Sequence, residues 1–407
     1  MNICMLCRCF PTISSGGFED HVFELCKGLV SQGIGTTLIT SKHPNGIEYE
    51  EIKGIKIHYL KKSKTGLYHD GYWPESAKKT VELHSGCQFT LIHSQSIAGY
   101  EVAKNKIPNK LNIPFIASMH GTQIDEIFTQ FNLAQEFPFA ALKHLNEALG
   151  KFDTFIRREK PTITSANAVI ATSNEQAELI KNYYSIGSDK IFKIYNGMNL
   201  SQFAPGPKPQ ELIKKFNITP GKRIILAAAR LEAEKGIQHI IKALKFINED
   251  VKLLVLGDGS YRKSLENLAK KLGLNDKVVF LGFVSLDDLP KYFNLCDVFV
   301  NPTIRQNGYD LTTLESMACE RPTIATNIGS HPTLIQNGNN GLLFTKGNDK
   351  ELAGCVIKLL NDNALSERIG KSARKRVLED FSVEKMVENT IKVYENLLLR
   401  KNNASKI

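Results

Sequence analysis

The chain has 407 residues, a net charge of +10 at pH 7 and 42% hydrophobic residues. Its length is too great for one ordinary core and indicates two domains, and a charged fraction of 23% is that of a globular protein rather than a disordered one. No apolar run approaches the ~18 residues that would cross a membrane, and the first residues lack the basic lead and long apolar segment of a signal peptide. We therefore expect a cytoplasmic protein.

The distribution of charges and cysteines excludes two further classes. Lysines and arginines are scattered over predicted helices, as on a solvated surface, and no nucleic-acid-binding motif is present, so we expect no nucleic-acid partner. Cys4, Cys7 and Cys9 cluster near the N-terminus, but neither a second pair nor a nearby histidine completes a zinc pattern. We predict buried free thiols, no metal site and a reducing compartment.

In the first half of the chain, short apolar runs alternate with helical patterns. Residues 2–9 predict a strand, residues 11–17 a turn-rich loop, and the apolar spacing that follows predicts a helix that ends near Gly33. This is the beginning of a βαβ unit. Further strands are predicted at residues 36–40, 55–60, 90–93, 113–119, 168–171 and 191–194.

Two loops at the ends of these strands carry candidate binding residues. Gly16 and Gly17 lie between the first strand and the first helix, where glycines let the backbone approach a ligand closely; a plain turn is the alternative. His120 directly follows the strand at residues 113–119. It is either a ligand contact or a structural histidine with satisfied hydrogen bonds, and the residues alone favour the latter.

Residues 131–160 form a long helical region with one apolar face. Arg157, Arg158 and Lys160 stand at its end, where cations suit the helix dipole. Two interpretations are open: peripheral contact with a membrane surface, and packing against the protein core, which is the simpler one. The apolar face consists of Phe139, Leu142, Leu145, Leu149, Phe152 and Ile156.

The second half of the chain restarts the alternation of strands and helices. It follows the densest proline stretch, residues 203–209, which we interpret as the domain linker. Strands that alternate with helices indicate parallel, doubly wound sheets, and hence an α/β fold. We predict an N-terminal domain at residues 1–200 and a C-terminal domain at residues 201–380. The predicted strands of the second domain are residues 223–229, 251–256, 278–281, 298–300 and 323–326.

Arg230 and Lys235 are the strongest candidates for binding an anion. Arg230 follows a strand, and Lys235 precedes Gly236 at the start of a helix whose first N–H groups lack partners within the helix. Two cations beside a helix N-terminus suit a diphosphate by charge, geometry and dipole. The alternative is ordinary surface pairing of these cations with Glu232 and Glu234.

The stretch at residues 301–320 reads NPTIRQNGYDLTTLESMACE. It predicts a strand end, a polar loop and a helix that begins near Leu311, with Glu315 one turn in. Open α/β sheets bind ligands in this arrangement, against free backbone N–H groups, here those of Leu311 and Thr312. An acidic residue placed like Glu315 accepts hydrogen bonds from a ribose diol. The alternative is a buried helix face with a solvated Glu315.

The same stretch resembles the donor-sugar signature of the family 4 retaining glycosyltransferases, in which two glutamates are separated by seven residues. Glu315 matches the second glutamate, while Asn307 stands at the first position. Asparagine can donate and accept hydrogen bonds there but offers no negative charge. Asp310 stands where the family has a glycine, and we expect it to be the N-cap of the helix that carries Glu315.

Other motifs resemble the same family in the same order along nearly the whole chain. Gly-Gly-x-Glu at residues 16–19 is similar to its N-terminal loop, and Ala-Val-Ile-Ala-Thr-Ser at residues 168–173 to the last strand of its first domain. Asn-Gly at residues 196–197 is similar to its hinge turn, and Arg-Leu-Glu-Ala-Glu-Lys-Gly at residues 230–236 to its phosphate loop. Gly-Asp-Gly, which begins at Gly257, is similar to the loop beside the nucleotide base.

The resemblance implies the GT-B fold, in which two Rossmann-like domains with doubly wound parallel sheets face a cleft. It also implies that a C-terminal helix at residues 381–407 belongs to the first domain. In the roles that it implies, Arg230 and Lys235 hold the diphosphate, and His120 and Asn307 position the sugar. Gly16 and Gly17 let the first domain close over the phosphates.

The implied activity is transfer of a hexosyl unit from a nucleotide-diphosphate sugar to an acceptor hydroxyl, with an α-linkage as product. The acceptor would be a glycan, a glycolipid or another lipid-linked precursor of a cell-surface polysaccharide. No cofactor and no obligatory metal are expected, because the two cations stabilise the leaving group. Two alternatives stay open: an epimerase or phosphorolytic enzyme of the same fold, and a non-catalytic partner subunit that binds sugar nucleotide.

Overall fold

The computed structural model describes residues 1–14, 16–68, 71–306 and 309–404. Contacts divide the chain into two compact units. The first comprises Met1–Ile127, Asn146–Gly197 and Phe381–Ile407, and the second comprises Phe128–Leu145 and Met198–Asp380. The last helix thus groups with the first unit. The grouping of Phe128–Leu145 with the second unit differs from the division that we predict from the sequence.

Fourteen strands lie in the described residues, and most are short apolar runs. They are β1 (Asn2–Leu6), β2 (Gly35–Thr40), β3 (Tyr49–Ile52), β4 (Ile55–Tyr59), β5 (Leu91–Gln95), β6 (Phe115–Met119), β7 (Ala168–Ala171), β8 (Ile191–Lys193), β9 (Arg223–Ala228), β10 (Val251–Leu256), β11 (Val278–Gly282), β12 (Val298–Asn301), β13 (Thr323–Thr326) and β14 (Leu342–Phe344).

Helices connect these strands, and none of those in the described ranges is both long and apolar enough to cross a bilayer. The α-helices are α1 (Gly17–Ser31), α2 (Tyr72–Cys87), α3 (Tyr100–Lys104), α4 (Ile107–Leu111), α5 (Gln123–Glu136), α6 (Ala141–Thr154), α7 (Lys160–Thr164), α8 (Asn174–Tyr184), α9 (Gln210–Lys215), α10 (Ile237–Ala243), α11 (Arg262–Lys271), α12 (Leu289–Leu295), α13 (Leu311–Ala318), α14 (His331–Leu334), α15 (Asp349–Asn361), α16 (Asn363–Asp380) and α17 (Val383–Ala404).

Side-chain caps account for the beginning of several of these helices, and α8 and α15 are examples. The Ser173 side chain accepts a hydrogen bond from the Gln176 backbone N–H at the start of α8 (3.0 Å). Asn348 does the same for the Glu351 backbone N–H at the start of α15 (3.1 Å). Such caps satisfy N–H groups that have no partner within the helix.

The first unit contains an eight-stranded sheet in the order β3-β4-β2-β1-β5-β6-β7-β8. Every neighbouring pair is parallel except β3 and β4, which are antiparallel at one edge. The chain order reverses between β1 and β5, which are hydrogen-bonded neighbours. In open sheets of this kind, ligands bind beyond the carboxyl ends of the strands at such a reversal.

The second unit contains a six-stranded, all-parallel sheet in the order β11-β10-β9-β12-β13-β14. Counted within the unit, this is the strand order 3-2-1-4-5-6 of a dinucleotide-binding sheet. The reversal falls between β9 and β12, which pair at Val298–Ile225 and Phe299–Leu226. The loops after β9 and β12 therefore flank the position where this fold binds nucleotides.

Helix α17 packs into the core of the first unit. The Tyr394 hydroxyl lies 2.6 Å from Nδ1 of His93 on β5, and both side chains are fully buried. A Cβ on Gly28 of α1 would lie 2.3 Å from Val387, so glycine permits the close approach of α1 and α17. These contacts explain why the C-terminal helix groups with the first unit.

The structure has a strand at every predicted range and confirms the interpretation of the cysteines as free thiols. Three strands, β7, β10 and β13, have the predicted bounds, and Cys4, Cys7 and Cys9 are buried free thiols. Strands β3 and β14 were not predicted, because β3 is a polar edge strand and β14 has only three residues.

The proline stretch at residues 203–209 is not a free linker. The Asn294 side chain accepts a hydrogen bond from the Gly206 N–H (2.9 Å) and donates one to the Ala204 carbonyl (3.1 Å). These bonds attach the stretch to α12 within the second unit, so the linker interpretation is wrong. The division into units falls earlier, after Gly197.

The prediction that the apolar face in residues 131–160 packs against the protein core is also wrong. Phe139, in a 3-10 turn before α6, is fully exposed, and Leu142 on α6 is 74% exposed. The exposed side chains are Phe139, Leu142, Leu145, Leu149, Phe152 and Ile156. The sequence has the helical period, but a period does not reveal which face meets the core.

Candidate functional site

The loop after β9 carries both cations of the predicted diphosphate site. Arg230 lies two residues beyond Ala228, the last residue of β9, and is exposed. Lys235 ends a single 3-10 turn directly before Gly236 and α10, and its side chain is only 12% exposed. The structure therefore brings one solvent-facing and one mostly buried cation to the carboxyl edge of the second sheet.

The structure gives the neighbouring glutamates other partners than these cations. Glu232 accepts a hydrogen bond from the Ser260 hydroxyl (2.6 Å). Glu234 lies 3.7 Å from Nε of Arg305. Surface pairing of Glu232 and Glu234 with Arg230 and Lys235 is therefore not the arrangement that the structure has.

Two glycines allow the loops of this edge to pack backbone against backbone. Gly236 has a φ of +69°, and a Cβ there would lie 1.9 Å from the Pro302 carbonyl oxygen. Gly257 has a φ of +111°, and a Cβ there would lie 1.9 Å from the Ala229 carbonyl oxygen. Only glycine combines the left-handed backbone with this approach, so both residues fix the loop that contains Arg230 and Lys235.

The loop after β12 is held by α5 residues that belong to the second unit. The Thr129 hydroxyl accepts a hydrogen bond from the Gln306 N–H (2.9 Å), and the Asn132 side chain donates one to the Ile304 carbonyl (3.0 Å). The candidate Asn307, like Gly308, lies outside the described residues. The described part of the loop is thus fixed immediately before that position.

Asp310 occupies the N-cap position of α13, but its side chain makes no capping hydrogen bond. Its Oδ1 instead lies 3.2 Å from Nζ of Lys235, and its Oδ2 lies 3.4 Å from Nε2 of His331. The prediction that the carboxylate caps the helix is therefore wrong. The physical reason is that a nearby ammonium group attracts a carboxylate more strongly than a backbone N–H does.

The charges around Asp310 keep its carboxylate ionised. Burial alone would raise the pKa of Asp310, but the neighbouring Lys235, His331 and Arg305 outweigh it and lower the pKa to about 2. His331 is buried and its Nδ1 lies 2.9 Å from the Thr326 carbonyl oxygen. Since a carbonyl only accepts, Nδ1 carries a proton and the ring orientation is fixed.

Helix α13 carries the remaining candidates of the second unit. Leu311 and Thr312 are its first two residues and are partly exposed, and N–H groups of a first helical turn have no partner within the helix. Glu315 lies four residues beyond Leu311, which is about 6 Å along the helix axis at 1.5 Å per residue. Its exposed fraction is 8%. The expectation of a solvated Glu315, which was the alternative interpretation, is therefore wrong.

In the first unit, the predicted glycine loop leads into α1. Gly16 is the N-cap residue and Gly17 the first helical residue. A Cβ on Gly16 would lie 2.8 Å from Oε2 of the buried Glu19, whose Oε1 accepts a hydrogen bond from the Ser14 hydroxyl (2.9 Å). A side chain at position 16 would therefore displace the end of the Glu19 side chain.

His120 lies one residue beyond β6 within a buried polar network. Its Nε2–H donates to Oε1 of Gln95 (2.7 Å), and burial lowers the pKa of His120 to about 4. The ring is therefore neutral at pH 7, and its Nδ1 is a hydrogen-bond acceptor. Within the described residues, this buried Nδ1 has no hydrogen-bond partner.

The network continues through residues that sequence reasoning missed. Nε2 of His93 lies 2.6 Å from the Ser118 hydroxyl, and the His21 ring packs edge-on against His120 with centroids 4.4 Å apart. Burial lowers the pKa of His21 well below its usual value. A polar run, His-Ser-Gln at residues 93–95, inside an apolar strand pattern was the signal available in the sequence.

Glu159 fixes the backbone that follows His120. It is buried at the end of a π-helical turn, Phe155–Glu159, and its Oε2 accepts hydrogen bonds from the Gln123 N–H (2.7 Å) and the Tyr184 hydroxyl (2.5 Å). Burial raises the pKa of Glu159 to about 7. π-Helical turns are frequent near functional sites, and this one delivers a carboxyl group to the start of α5.

Two family models match the chain, one in each half. The model described as Glycosyltransferase Family 4 matches residues 15–202, and the model described as Glycosyl transferases group 1 matches residues 209–376. This chain belongs to the family 4 glycosyltransferases, which have the GT-B fold. It is therefore a glycosyltransferase, built from two Rossmann-like units with parallel sheets.

This family 4 glycosyltransferase has relatives along its whole length. It is 25% identical over 398 residues to N-acetyl-alpha-D-glucosaminyl L-malate synthase of Bacillus anthracis, with 96% of each chain covered. Its fold is similar to that of sucrose-phosphate synthase from Thermosynechococcus elongatus, with a TM-score of 0.79, 21% identity and coverage of 98% of this chain and 100% of the other. It is also similar to Anabaena HepE in complex with UDP, with a TM-score of 0.74, 20% identity and coverage of 97% and 100%.

The structure of this glycosyltransferase brings some predicted residues of the second unit into contact and assigns others to the first unit. Lys235 and Asp310 meet directly, and the loops of Arg230 and Gly257 share backbone contacts through Ala229. His120 belongs to the first unit, as do Gly16 and Gly17. The ion pair of Lys235 was not predicted, because its partner lies 75 residues away in the sequence.

Proposed function

We propose that this glycosyltransferase transfers a hexosyl unit from a nucleotide-diphosphate sugar to an acceptor hydroxyl, with retention of the α-configuration. The observation that carries the proposal is the pair of cations, Arg230 and Lys235, beside the strand-order reversal of the second sheet. Two relatives support the donor class: one is named for an N-acetylglucosaminyl product, and HepE was solved with UDP.

In the proposed mechanism, Arg230 and Lys235 hold the diphosphate and stabilise the negative charge that develops on the leaving group. Cations fixed in position before the reaction need no reorganisation at the moment of bond breaking, so no obligatory metal or cofactor is proposed. The backbone N–H groups of Leu311 and Thr312 add donors to the phosphates. Glu315 accepts the ribose hydroxyls.

The remaining candidates have roles toward the sugar and the base. The neutral His120 accepts a hydrogen bond from a sugar hydroxyl at Nδ1, since its Nε2–H is already given to Gln95. Asn307 hydrogen-bonds the same sugar, and Gly257 lies beside the nucleotide base. Gly16 and Gly17 approach the phosphates. Exclusion of water once the glycines contact the phosphates protects the donor from hydrolysis.

We further propose that the acceptor is a glycan or a lipid-linked saccharide and that the exposed face of α6 contacts an anionic membrane surface. Residues 139–160 carry five lysines and arginines against three carboxylates, and one of those, Glu159, is buried. An exposed apolar face flanked by cations is the pattern of an interfacial helix, and anionic lipids attract the cations.

Sedimentation with vesicles tests the membrane contact. The triple variant Leu142→Ser, Leu149→Ser, Phe152→Ser should lose binding to vesicles rich in anionic lipid. Phe283→Ser, which replaces an even more exposed phenylalanine elsewhere, should retain it. Equal binding of all three proteins would contradict the proposal. Dimerisation of the wild type that the triple variant abolishes would assign the face to a second copy of the chain instead.

The test of the transfer reaction begins with a thermal-shift screen of nucleotide sugars, because a bound ligand stabilises in proportion to its affinity. Nucleotide release is then measured with the best donor and a panel of acceptors. The double variant Arg230→Ala, Lys235→Ala should lose at least about a hundredfold in turnover, whereas Lys291→Ala on the exposed surface should not. Wild-type turnover in the double variant would end the assignment.

The pairing of Lys235 with Asp310 favours one rival function, a subunit that binds sugar nucleotide without transferring it, because the cation is already neutralised. Tight donor binding without nucleotide release for any acceptor would support this rival. An epimerase would instead convert the donor sugar in the absence of acceptor, and a phosphorolytic enzyme would release a sugar phosphate when inorganic phosphate is supplied.

A further inference from the structure

Each oxygen of the Asp310 carboxylate lies beside a basic side chain. Oδ1 lies 3.2 Å from Nζ of Lys235, and Oδ2 lies 3.4 Å from Nε2 of His331. The three side chains are 12%, 15% and 1% exposed for Lys235, Asp310 and His331, respectively. The cation that the proposed function gives to a diphosphate therefore already has an internal anion.

A phosphate group that binds Lys235 meets this carboxylate at close range. Like charges a few ångströms apart repel, most strongly where water is largely excluded. The pKa of Asp310 is lowered by Lys235, His331 and Arg305 in this structure, so an arriving phosphate meets a carboxylate rather than a neutral carboxylic acid. The diphosphate and Asp310 are therefore alternatives at the same ammonium group.

We propose that Asp310 is a displaceable counter-ion that competes with the donor diphosphate for Lys235. The inference rests on the proposed function in one respect, the assignment of Lys235 to the diphosphate. His331 provides the means of displacement. Its Nδ1–H donates to the Thr326 carbonyl, and in the imidazolium form its Nε2–H remains beside Oδ2 when Oδ1 leaves Lys235. The carboxylate thus keeps one partner in both states.

The consequence is selectivity for charge. A ligand must carry enough negative charge at the phosphate position to take Lys235 from Asp310. A diphosphate displaces Asp310 from Lys235 better than a monophosphate does, and a nucleoside without phosphate does not compete for Lys235. Asp310 is accordingly a specificity residue for the diphosphate.

A double-mutant cycle tests this competition. Calorimetry measures the binding of inorganic diphosphate, UDP, GDP, ADP and uridine to the wild type, Asp310→Asn, Lys235→Met and the double variant. Asp288→Asn is the matched control, because Asp288 also pairs with a lysine of the second unit, Lys291 (2.9 Å), but on the exposed surface. Asp310→Ser replaces Asp310→Asn if the latter has a lowered unfolding temperature.

If Asp310 competes for Lys235, replacement of Asp310 should tighten diphosphate binding on the order of tenfold when Lys235 is present. In the Lys235→Met background the same replacement should tighten binding by less than about twofold, because the effects of charged residues in contact depend on each other. Uridine binding and the Asp288→Asn variant should not change. Equal tightening in both backgrounds would show that Asp310 repels the diphosphate without competing for Lys235, and would overturn the inference. Absence of any tightening would overturn it as well.

Inorganic diphosphate separates this inference from the proposed function. If no nucleotide binds but inorganic diphosphate follows the predicted cycle, the competition stands and the donor assignment fails. If nucleotides bind through Lys235 without any dependence on Asp310, the donor assignment stands and the competition fails. Absence of binding by every probe would overturn both.

Discussion

Replacement of Glu159 by glutamine should change the pH dependence of stability of the first unit. The Glu159 carboxyl group is 1% exposed and accepts hydrogen bonds from the Gln123 N–H and the Tyr184 hydroxyl. Glutamine has nearly the same shape and retains an acceptor oxygen, but it does not titrate. The comparison therefore isolates the proton of this one carboxyl group.

The size of the effect follows from the displacement of the pKa. Burial raises the pKa of Glu159 from 4.5 to about 7, so the folded state binds the proton more tightly than the unfolded state does. The stabilisation is complete below pH 4.5 and is lost as the pH rises through 7. At 1.36 kcal/mol per pKa unit, the wild type should lose about 3 kcal/mol relative to Glu159→Gln between pH 4.5 and pH 8.

Urea denaturation at several pH values, followed by circular dichroism, measures this difference. Glu178→Gln is a suitable control, because Glu178 lies exposed on α8 of the same unit. Its unfolding free energy should follow that of the wild type at every pH. Parallel curves for the wild type and Glu159→Gln would show that the buried carboxyl group has an ordinary pKa and would refute the reasoning.

Three further outcomes are expected. Gly236→Ala should lower the unfolding free energy by roughly 2–4 kcal/mol, because it adds a clash with the Pro302 carbonyl to the strain of a left-handed backbone. The control Gly221→Ala, at a residue with a φ of +88° and open space around it, should lower that free energy by only about 1 kcal/mol. Equal losses in the two variants, measured by denaturation, would contradict the close approach at Gly236. Tyr394→Phe should cost about 1–3 kcal/mol in the same assay, because it leaves Nδ1 of the buried His93 without its hydroxyl partner; an unchanged midpoint would show that this bond does not hold α17. The pKa of His120 of about 4 predicts that its NMR resonances do not titrate between pH 5.5 and 8; a midpoint near 6.5 would contradict its burial.

The strand pattern and the cation pair could be predicted because each depends on neighbouring residues. The runs at Ala168–Ala171 and Val251–Leu256 are apolar throughout and form strands with the predicted bounds. Arg230 and Lys235 follow a strand and precede a helix, so their place at the sheet edge follows from order along the chain. The family resemblance rested on the same short motifs.

The residues around the site could not be predicted in the same way. Asp310 has the composition of an N-cap, yet its side chain pairs with Lys235, because the sheet brings the loops after β9 and β12 to the same edge. The sequence also did not reveal the roles of Gln95, His93 and Glu159. Each of these residues acts through a hydrogen-bond partner on another element of the fold.

The sequence by itself determined the α/β alternation, the number of units and the family, because periodicity and motifs are local properties of a chain. The tertiary structure decided which face of α6 is exposed, which unit contains Phe128–Leu145, and which anion neutralises Lys235. Those properties depend on the distances between residues far apart in the sequence. Side-chain chemistry alone does not fix them until the sheets bring the segments together.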